Sequence, residues 1–287
     1  MSPAAGRSVR AALDERLDVA SRARLEARVE GNLPLLVVRL PAPFRAAFTT
    51  RWDTDDMGRA QSLDLSLISA EVRSSSALSS PRVPVGPGRE RLESCLSASA
   101  GEPGLTLVSP LQVHGVRVAG TAEYAGSPQE SPCDGLTLQP PLDGGLAPLL
   151  LFADCVPIVL VGEVDAAVVH GGWRGLLGGI VQQGGAAMTA PPGLVVVGPS
   201  IGPCCYQVGD ALAREFSARF GDSVVRPGSR LDLWEVATLA AAEVGVPRER
   251  VVNPRLCTSC NNDLFFSYRR EGAAAGRHGA VLWAAAA

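Results

Sequence analysis

The sequence predicts a mixed α/β protein, a layered sandwich of mixed sheets covered by helices. Three observations carry this expectation. The runs 149–152, 156–161 and 166–169 are short, bounded and rich in branched apolar residues, as strands buried on both faces are. From about 145 onward such runs alternate with segments of helical composition. Two of those segments carry a single apolar stripe: Leu212, Phe216 and Phe220 in one, and Leu233, Val236, Ala240 and Val244 in the other. Stripes of that kind need a sheet to cover.

Taken in order, residues 1–32 are expected to form a peripheral arm, with a charged helical segment over 11–29. A single domain is expected over 33–287, since no linker divides it. Strands are expected at 35–40 and 46–50, followed by a loop over 70–90, which is rich in Ser, Pro, Gly and Arg. Short strands follow at 106–109 and 116–119, before the three apolar runs. A helix over 176–188 is weakened by its glycines. The strand at 194–197 runs into GPSIGP, a tight-turn sequence, and helices are expected over 211–220 and 233–244.

Composition removes several classes of function. Of 287 residues, 46% are hydrophobic and 19% charged, which suits a packed core and excludes wholesale disorder. The net charge of -3 leaves no broad cationic field for nucleic acid or an anionic membrane. Every basic side chain other than histidine is arginine, so neither a Schiff-base lysine nor a P-loop lysine is available. The longest apolar region, 146–170, is interrupted by Asp154, Pro157, Glu163 and Asp165, so no membrane span is expected. Asp14, Glu15 and Asp18 stand where a secretory signal would be apolar, and seven cysteines are an odd number. A reduced, cytoplasmic protein with no obligate protein partner is the simplest expectation.

The chemistry concentrates at strand ends. The segments ADCVP (153–157) and HGGWRG (170–175) put Cys155 and His170 where turns carry side chains on a rigid sheet. His114, in QVHG (112–115), lies between two expected strands. Together His114, Cys155 and His170 make a two-histidine, one-cysteine ligand set. Zinc accepts that mixture with a fourth position open, and in trigonal form it would suit copper. Two other readings remain open: a Cys155 thiolate nucleophile with a histidine base, and a packed core thiol. Cys257 and Cys260 form a CxxC with the pair Cys204 and Cys205 elsewhere. A second CxxC is missing and adjacent cysteines make poor paired ligands, so thiols packed in turns are expected there. Arg174, Arg269, Arg270 and Arg277 are candidate anion-binding groups, Arg174 standing just before the expected helix. At least one of the adjacent Arg269 and Arg270 is expected to be an ordinary surface cation, because neighbours in an extended strand point in different directions.

Taken together, six ordered motifs resemble the YfiH-like family, long labelled multicopper polyphenol oxidase or laccase-domain proteins. They are QVHG (112–115), CDG (133–135), ADCVP (153–157), HGGWRG (170–175), GPSIGPCCYQVG (198–209) and the tail CT…FFSYRR…GR (257–277). The resemblance implies a layered α/β fold shared with bacterial deamidating toxins, and a metal, usually zinc, on His114, Cys155 and His170. It implies phosphorolysis of adenosine, inosine, guanosine or methylthioadenosine, with adenosine deamination as a side activity. The partners would be a small nucleoside and phosphate. Within that reading Asp154, or Asp134, is expected to act as an acid toward the purine, and Arg174, Tyr268, Arg269 and Arg277 to hold substrate. A Cys–His hydrolase or amidase acting on cell-wall precursors is the first alternative. Copper-dependent phenol oxidation is disfavoured, because three histidines cannot build a blue-copper centre and a trinuclear cluster together. The chain departs from the family where an RxGGVS loop is usual, carrying TTR (49–51) followed by WDTDDMG (52–58). It also has Gly171 for the usual Ala, and Gln207 for the usual Glu.

Overall fold

The computed structural model describes residues 8–54, 60–66, 87–100, 104–125, 132–140 and 142–285. In chain order the strands are β1 (Leu25–Glu30), β2 (Leu33–Val38), β3 (Phe44–Thr49), β4 (Trp52–Thr54), β5 (Ala60–Ser62), β6 (Thr106–Val108), β7 (Val118–Gly120) and β8 (Gly135–Leu138). They continue as β9 (Leu146–Phe152), β10 (Val156–Val161), β11 (Ala166–Gly171), β12 (Leu194–Val197), β13 (Val225–Arg226), β14 (Arg230–Leu231), β15 (Val251–Val252) and β16 (His278–Ala284). The α-helices are α1 (Val9–Arg16), α2 (Val19–Arg22), α3 (Pro87–Ala100), α4 (Thr121–Ala125), α5 (Trp173–Gly178), α6 (Ile180–Ala186), α7 (Asp210–Phe220), α8 (Leu233–Glu243) and α9 (Tyr268–Glu271).

Two six-stranded mixed sheets form the sandwich. One has the order β1-β2-β3-β16-β9-β6 and the other β15-β12-β10-β11-β8-β7. Both are antiparallel except where β6 joins β9, β7 joins β8 and β15 joins β12. The continuous apolar runs are explained by burial on both faces. Along β10, Val159 and Val161 enter the core between the sheets, while Val156, Ile158 and Leu160 face the helices. β11 repeats this, with Val168 between the sheets and Ala167 and Val169 outside. The outer face of the second sheet packs under α6 and α8 through Ile180, Val181, Val236 and Ala240. Leu92 and Leu96 of α3 cover Leu33, Leu35 and Leu149 on the outer face of the first sheet. The layer order is therefore helix, sheet, sheet, helix, in keeping with the helix-covered sandwich of mixed sheets expected from the sequence.

Three expectations change in detail. The helix expected over 176–188 is broken into α5 and α6, because Gly179 takes a φ of 94° between them. The charged surface helix expected over 11–29 is instead α1, α2 and the edge strand β1. Val9, Leu13 and Leu17 belong to the core between the sheets, so this stretch is packed rather than peripheral. Of the loop expected over 70–90, residues 70–86 lie outside the described residues, and 87–90 open α3. Among the described residues no helix is long and apolar enough to cross a membrane.

Candidate metal centre

The chain passes from one sheet to the other three times at the same end of the sandwich: from β6 to β7, from β9 to β10, and from β15 to β16. The first crossing carries His114, the second Asp154 and Cys155, and the third Cys257, Tyr268, Arg269 and Arg277. His170 joins them because the β10–β11 register sets it opposite Pro157, two residues from Cys155. Both short crossings are sharp. His114 sits at φ 61° and Asp154 at φ 91°, left-handed conformations that side chains other than glycine seldom adopt.

The ligand atoms of His114, Cys155 and His170 all lie within 4.8 Å of one another. The two imidazoles meet edge to face, with ring centroids 4.8 Å apart. Gly172 makes room for this, since a Cβ there would stand 2.8 Å from His114 Cδ2. Asp134 organises the rest. Its carboxylate is fully buried and accepts from the backbone amides of Val113 (3.2 Å), His114 (2.8 Å) and Gly115 (2.7 Å), and from His170 Nδ1 (2.8 Å). Burial works against the charged form, yet His170 and these amides hold the carboxyl below its ordinary value. An ionised Asp134 can only accept, so the His170 proton lies on Nδ1 and Nε2 is left to face Cys155. Metal-bound histidines are commonly held by such a carboxylate.

As a bare pair, Cys155 and His170 polarise each other. Burial opposes the thiolate, but the charge of His170 and hydrogen bonds from both imidazoles lower Cys155 to about 6. Burial likewise opposes the imidazolium, and Cys155 with Asp134 outweighs it, raising His170 to about 9. A half-buried thiolate between two imidazoles is a donor set that fits zinc, with a position left for water or substrate.

These ligands line a cavity of about 740 Å³ whose walls include Ser66, Leu111, Trp173, Arg174, Ile201, Tyr206, Tyr268, Arg269 and Arg277. Asp154, Arg174, Tyr268, Arg269 and Arg277 therefore border one space with the three ligands, though not all of them are available to it, whereas the candidates Asp134 and Arg270 do not line it. Arg174 is exposed and makes no ion pair among the described residues, its guanidinium resting 4.4 Å from the Trp173 ring. Tyr268 is 56% exposed at the rim. Arg269 is tied down, donating to the carbonyls of Cys205 (3.2 Å) and Gln207 (3.1 Å). Arg277 donates to the carbonyls of Ala275 and Gly276. Asp154 accepts from the Thr258 hydroxyl and the Arg269 amide, each at 2.6 Å, so its carboxylate joins the second and third crossings.

Several contributors were not legible as such. Gln112 exchanges hydrogen bonds with both backbone groups of Leu151, at 2.9 and 2.8 Å, and so pins the His114 loop to β9. Tyr206 forms part of the wall, and its hydroxyl is pushed up to about 12, chiefly by burial. Gln207 is exposed and does not line the cavity; it contributes its carbonyl to Arg269. In the unusual N-terminal loop, Arg51 packs 4.5 Å from the Phe266 ring and pairs with Glu271 at 2.8 Å, while residues 55–59 lie outside the described residues.

The protein is thus of the class of layered α/β sandwiches that carry a two-histidine, one-cysteine cluster where the chain crosses between the sheets. The profile of the family described as multi-copper polyphenol oxidoreductase laccase matches residues 45–285, and the chain belongs to that YfiH-like, laccase-domain family. The chain is 34% identical over 165 residues to the purine nucleoside phosphorylase YlmD of Geobacillus stearothermophilus, covering 50% of this chain and 60% of the relative. It is 34% identical over 189 residues to the adenosine deaminase RL5 of an unknown prokaryotic organism, covering 60% and 72%. The match thus spans less than two thirds of the length of YlmD. The crystal structure of YlmD superposes with a TM-score of 0.66 at 28% identity, covering 91% of this chain and 99% of that one. A Neisseria meningitidis protein of family DUF152 gives 0.69 at 27% identity, covering 88% and 99%.

Proposed function

We propose that the chain is a zinc-dependent purine nucleoside phosphorylase acting on adenosine, inosine, guanosine or methylthioadenosine, with adenosine deamination as a side activity. The observation that carries this reading is the convergence of His114, Cys155 and His170 on a cavity that also presents aromatic rings and the Arg174 guanidinium, which makes no ion pair among the described residues. The names of the phosphorylase and deaminase relatives support the substrate class. His114, Cys155 and His170 would hold the metal, and zinc bound there would supply Lewis acidity toward a phosphate, ribose or water oxygen. Copper fits less well. His278 is completely buried in the core, which leaves two imidazoles at the site and too few for a multicopper centre.

In phosphorolysis a phosphate oxygen bonds to the ribose C1′ while the glycosidic C–N bond breaks, and the purine leaves with that electron pair and takes up a proton. Arg174 binds the phosphate dianion through its unpaired fork. Trp173, Tyr206 and Tyr268 offer ring faces to the base. Asp154 is the carboxylate of the wall, and we assign it proton delivery to the departing purine, with Thr258 and the Arg269 amide fixing its plane. Asp134, fully buried and filled with donors, orients the ligands instead. Arg269 and Arg277 brace the wall with guanidiniums held by backbone carbonyls and shape the substrate side from there.

The test is chromatography of zinc-loaded protein with inosine and phosphate. The reading expects hypoxanthine and ribose 1-phosphate, with no product when phosphate is omitted. Unchanged nucleoside would contradict it. One observation favours a second reading: the Cys155 sulfur stands within 4.8 Å of both imidazoles, the kind of thiol–imidazole contact a Cys–His hydrolase or amidase uses, such as one acting on cell-wall precursors. That reading requires activity to survive a chelator, and Cys155 to be trapped covalently by an amide substrate analogue.

A further inference from the structure

Cys204, Cys205, Cys257 and Cys260, expected from the sequence to be buried thiols in turns, are gathered into one group in which Cys204 and Cys260 are exposed. All four sulfurs lie within 4.8 Å of one another, and all four cysteines are free. Cys260 Sγ stands 3.4 Å from Cys205 Sγ and 3.5 Å from Cys204 Sγ. Tetrahedral zinc with Zn–S near 2.3 Å sets its four sulfurs about 3.8 Å apart, whereas a disulfide would bring two of them to about 2.05 Å. The observed spacing is close to the first arrangement and far from the second.

The backbone around the cluster is built as metal–thiolate turns are. The loop after β12 and the turn after β15 run side by side, because those strands are parallel and their pairing continues as a bridge between Ser200 and Cys257. That register delivers Cys204 and Cys205 to the CxxC. The amide of Gly202 donates to Cys257 Sγ at 3.3 Å, which fixes that sulfur within the cluster. Within the CxxC turn, the amide and the side chain of Asn261 both donate to the Cys257 carbonyl, at 2.9 and 2.7 Å, closing the loop around the thiols. Packing one thiol against three others in a loop gives little hydrophobic return, and Cys204 and Cys260 are exposed.

We propose that Cys204, Cys205, Cys257 and Cys260 form a second metal site, a tetrathiolate for zinc, separate from the His114–Cys155–His170 centre. Binding replaces the thiol protons with one divalent cation, and Arg269, whose guanidinium donates to the Cys205 carbonyl, offsets part of the resulting negative charge. The site is structural, since four protein ligands leave no position for substrate. What it fixes is the cavity wall. Tyr206 follows Cys205, and Thr258, which follows Cys257, holds Asp154. The metal would lock together the two loops on which those side chains stand.

The decisive measurement uses Cys155→Ser protein, in which the catalytic centre has lost its sulfur. Prepared reduced and with zinc, it should keep one zinc per chain, and X-ray absorption should show a shell of four sulfurs at about 2.3 Å. In the Cys155→Ser/Cys260→Ser variant that shell should fall to three sulfurs, or the zinc should be lost. Zinc held only by nitrogen and oxygen in the Cys155→Ser protein would overturn the proposal, as would no zinc at all. Because double variants can misfold, cobalt titration of the wild-type chain gives a second readout. Intense thiolate-to-cobalt absorption that persists in Cys155→Ser protein is expected; its absence there, or a disulfide joining Cys260 to Cys204 or Cys205 in zinc-treated protein, would also overturn the assignment.

Discussion

At Asp134 a single buried carboxylate meets three loop amides and one imidazole, so the conformation of the His114 loop and the aim of His170 depend on the same group. Asp134→Asn keeps the shape but puts an amide donor where donors already point. Zinc affinity should fall by about 10–100-fold, read by competition with a chromophoric chelator, while the fold persists. Unchanged affinity would show that Asp134 does not orient the ligand. Gly172→Ala pushes a methyl to within 2.8 Å of the His114 ring and should cost zinc binding as well, measured by metal content after gel filtration. The candidate ligands were legible in the sequence, because only three histidines exist and two of them lie beside glycine, one between expected strands and one at a strand end. Asp134 was legible only as one of two candidate acids. Its donors lie 19 to 36 residues away in sequence, and nothing in CDG announces them.

The elements explain why the site sits where it does. β9 and β10 are neighbours in sequence but belong to different sheets, and the left-handed Asp154 makes the step between them. The apolar runs revealed the strands but not this change of sheet, since both faces of every central strand are buried. Parallel pairing of β12 with β15 was equally hidden, so the adjacency of Cys204 and Cys205 argued against a cluster that the register in fact assembles. The N-terminal elements were misjudged because their charges lie on one side and their few apolar residues are widely spaced. Leu13 is completely buried, so Leu13→Ala should destabilise the protein by about 2–5 kcal/mol in urea unfolding. A cost near zero would restore the view of this segment as a surface arm.

Across the whole molecule, the space between the sheets imposes a pH limit. His278 opens β16, completely buried against Phe152 and Phe265, and neither ring nitrogen has a well-aligned partner among the described residues. Burial is the main cause that lowers it from 6.5 to about 3. The unfolded chain then binds a proton that the folded chain refuses. Stability from this residue is complete above pH 6.5 and falls by about 1.4 kcal/mol per unit as the pH drops toward 3. Urea midpoints of metal-stripped protein across that range should show this slope, and His278→Leu should flatten it. An equal slope in the variant would place the acid sensitivity elsewhere.

The central claim joins the His114–Cys155–His170 centre to nucleoside chemistry, and one measurement addresses both halves. Ribose 1-phosphate formed from inosine and phosphate would be followed in zinc-loaded protein, in protein stripped by a chelator, in the stripped protein with zinc restored, and in Cys155→Ala. The account predicts product in the first, none in the second, recovery in the third and none in the fourth. Product that persists in the stripped protein or in Cys155→Ala, or no product under any condition, would contradict it.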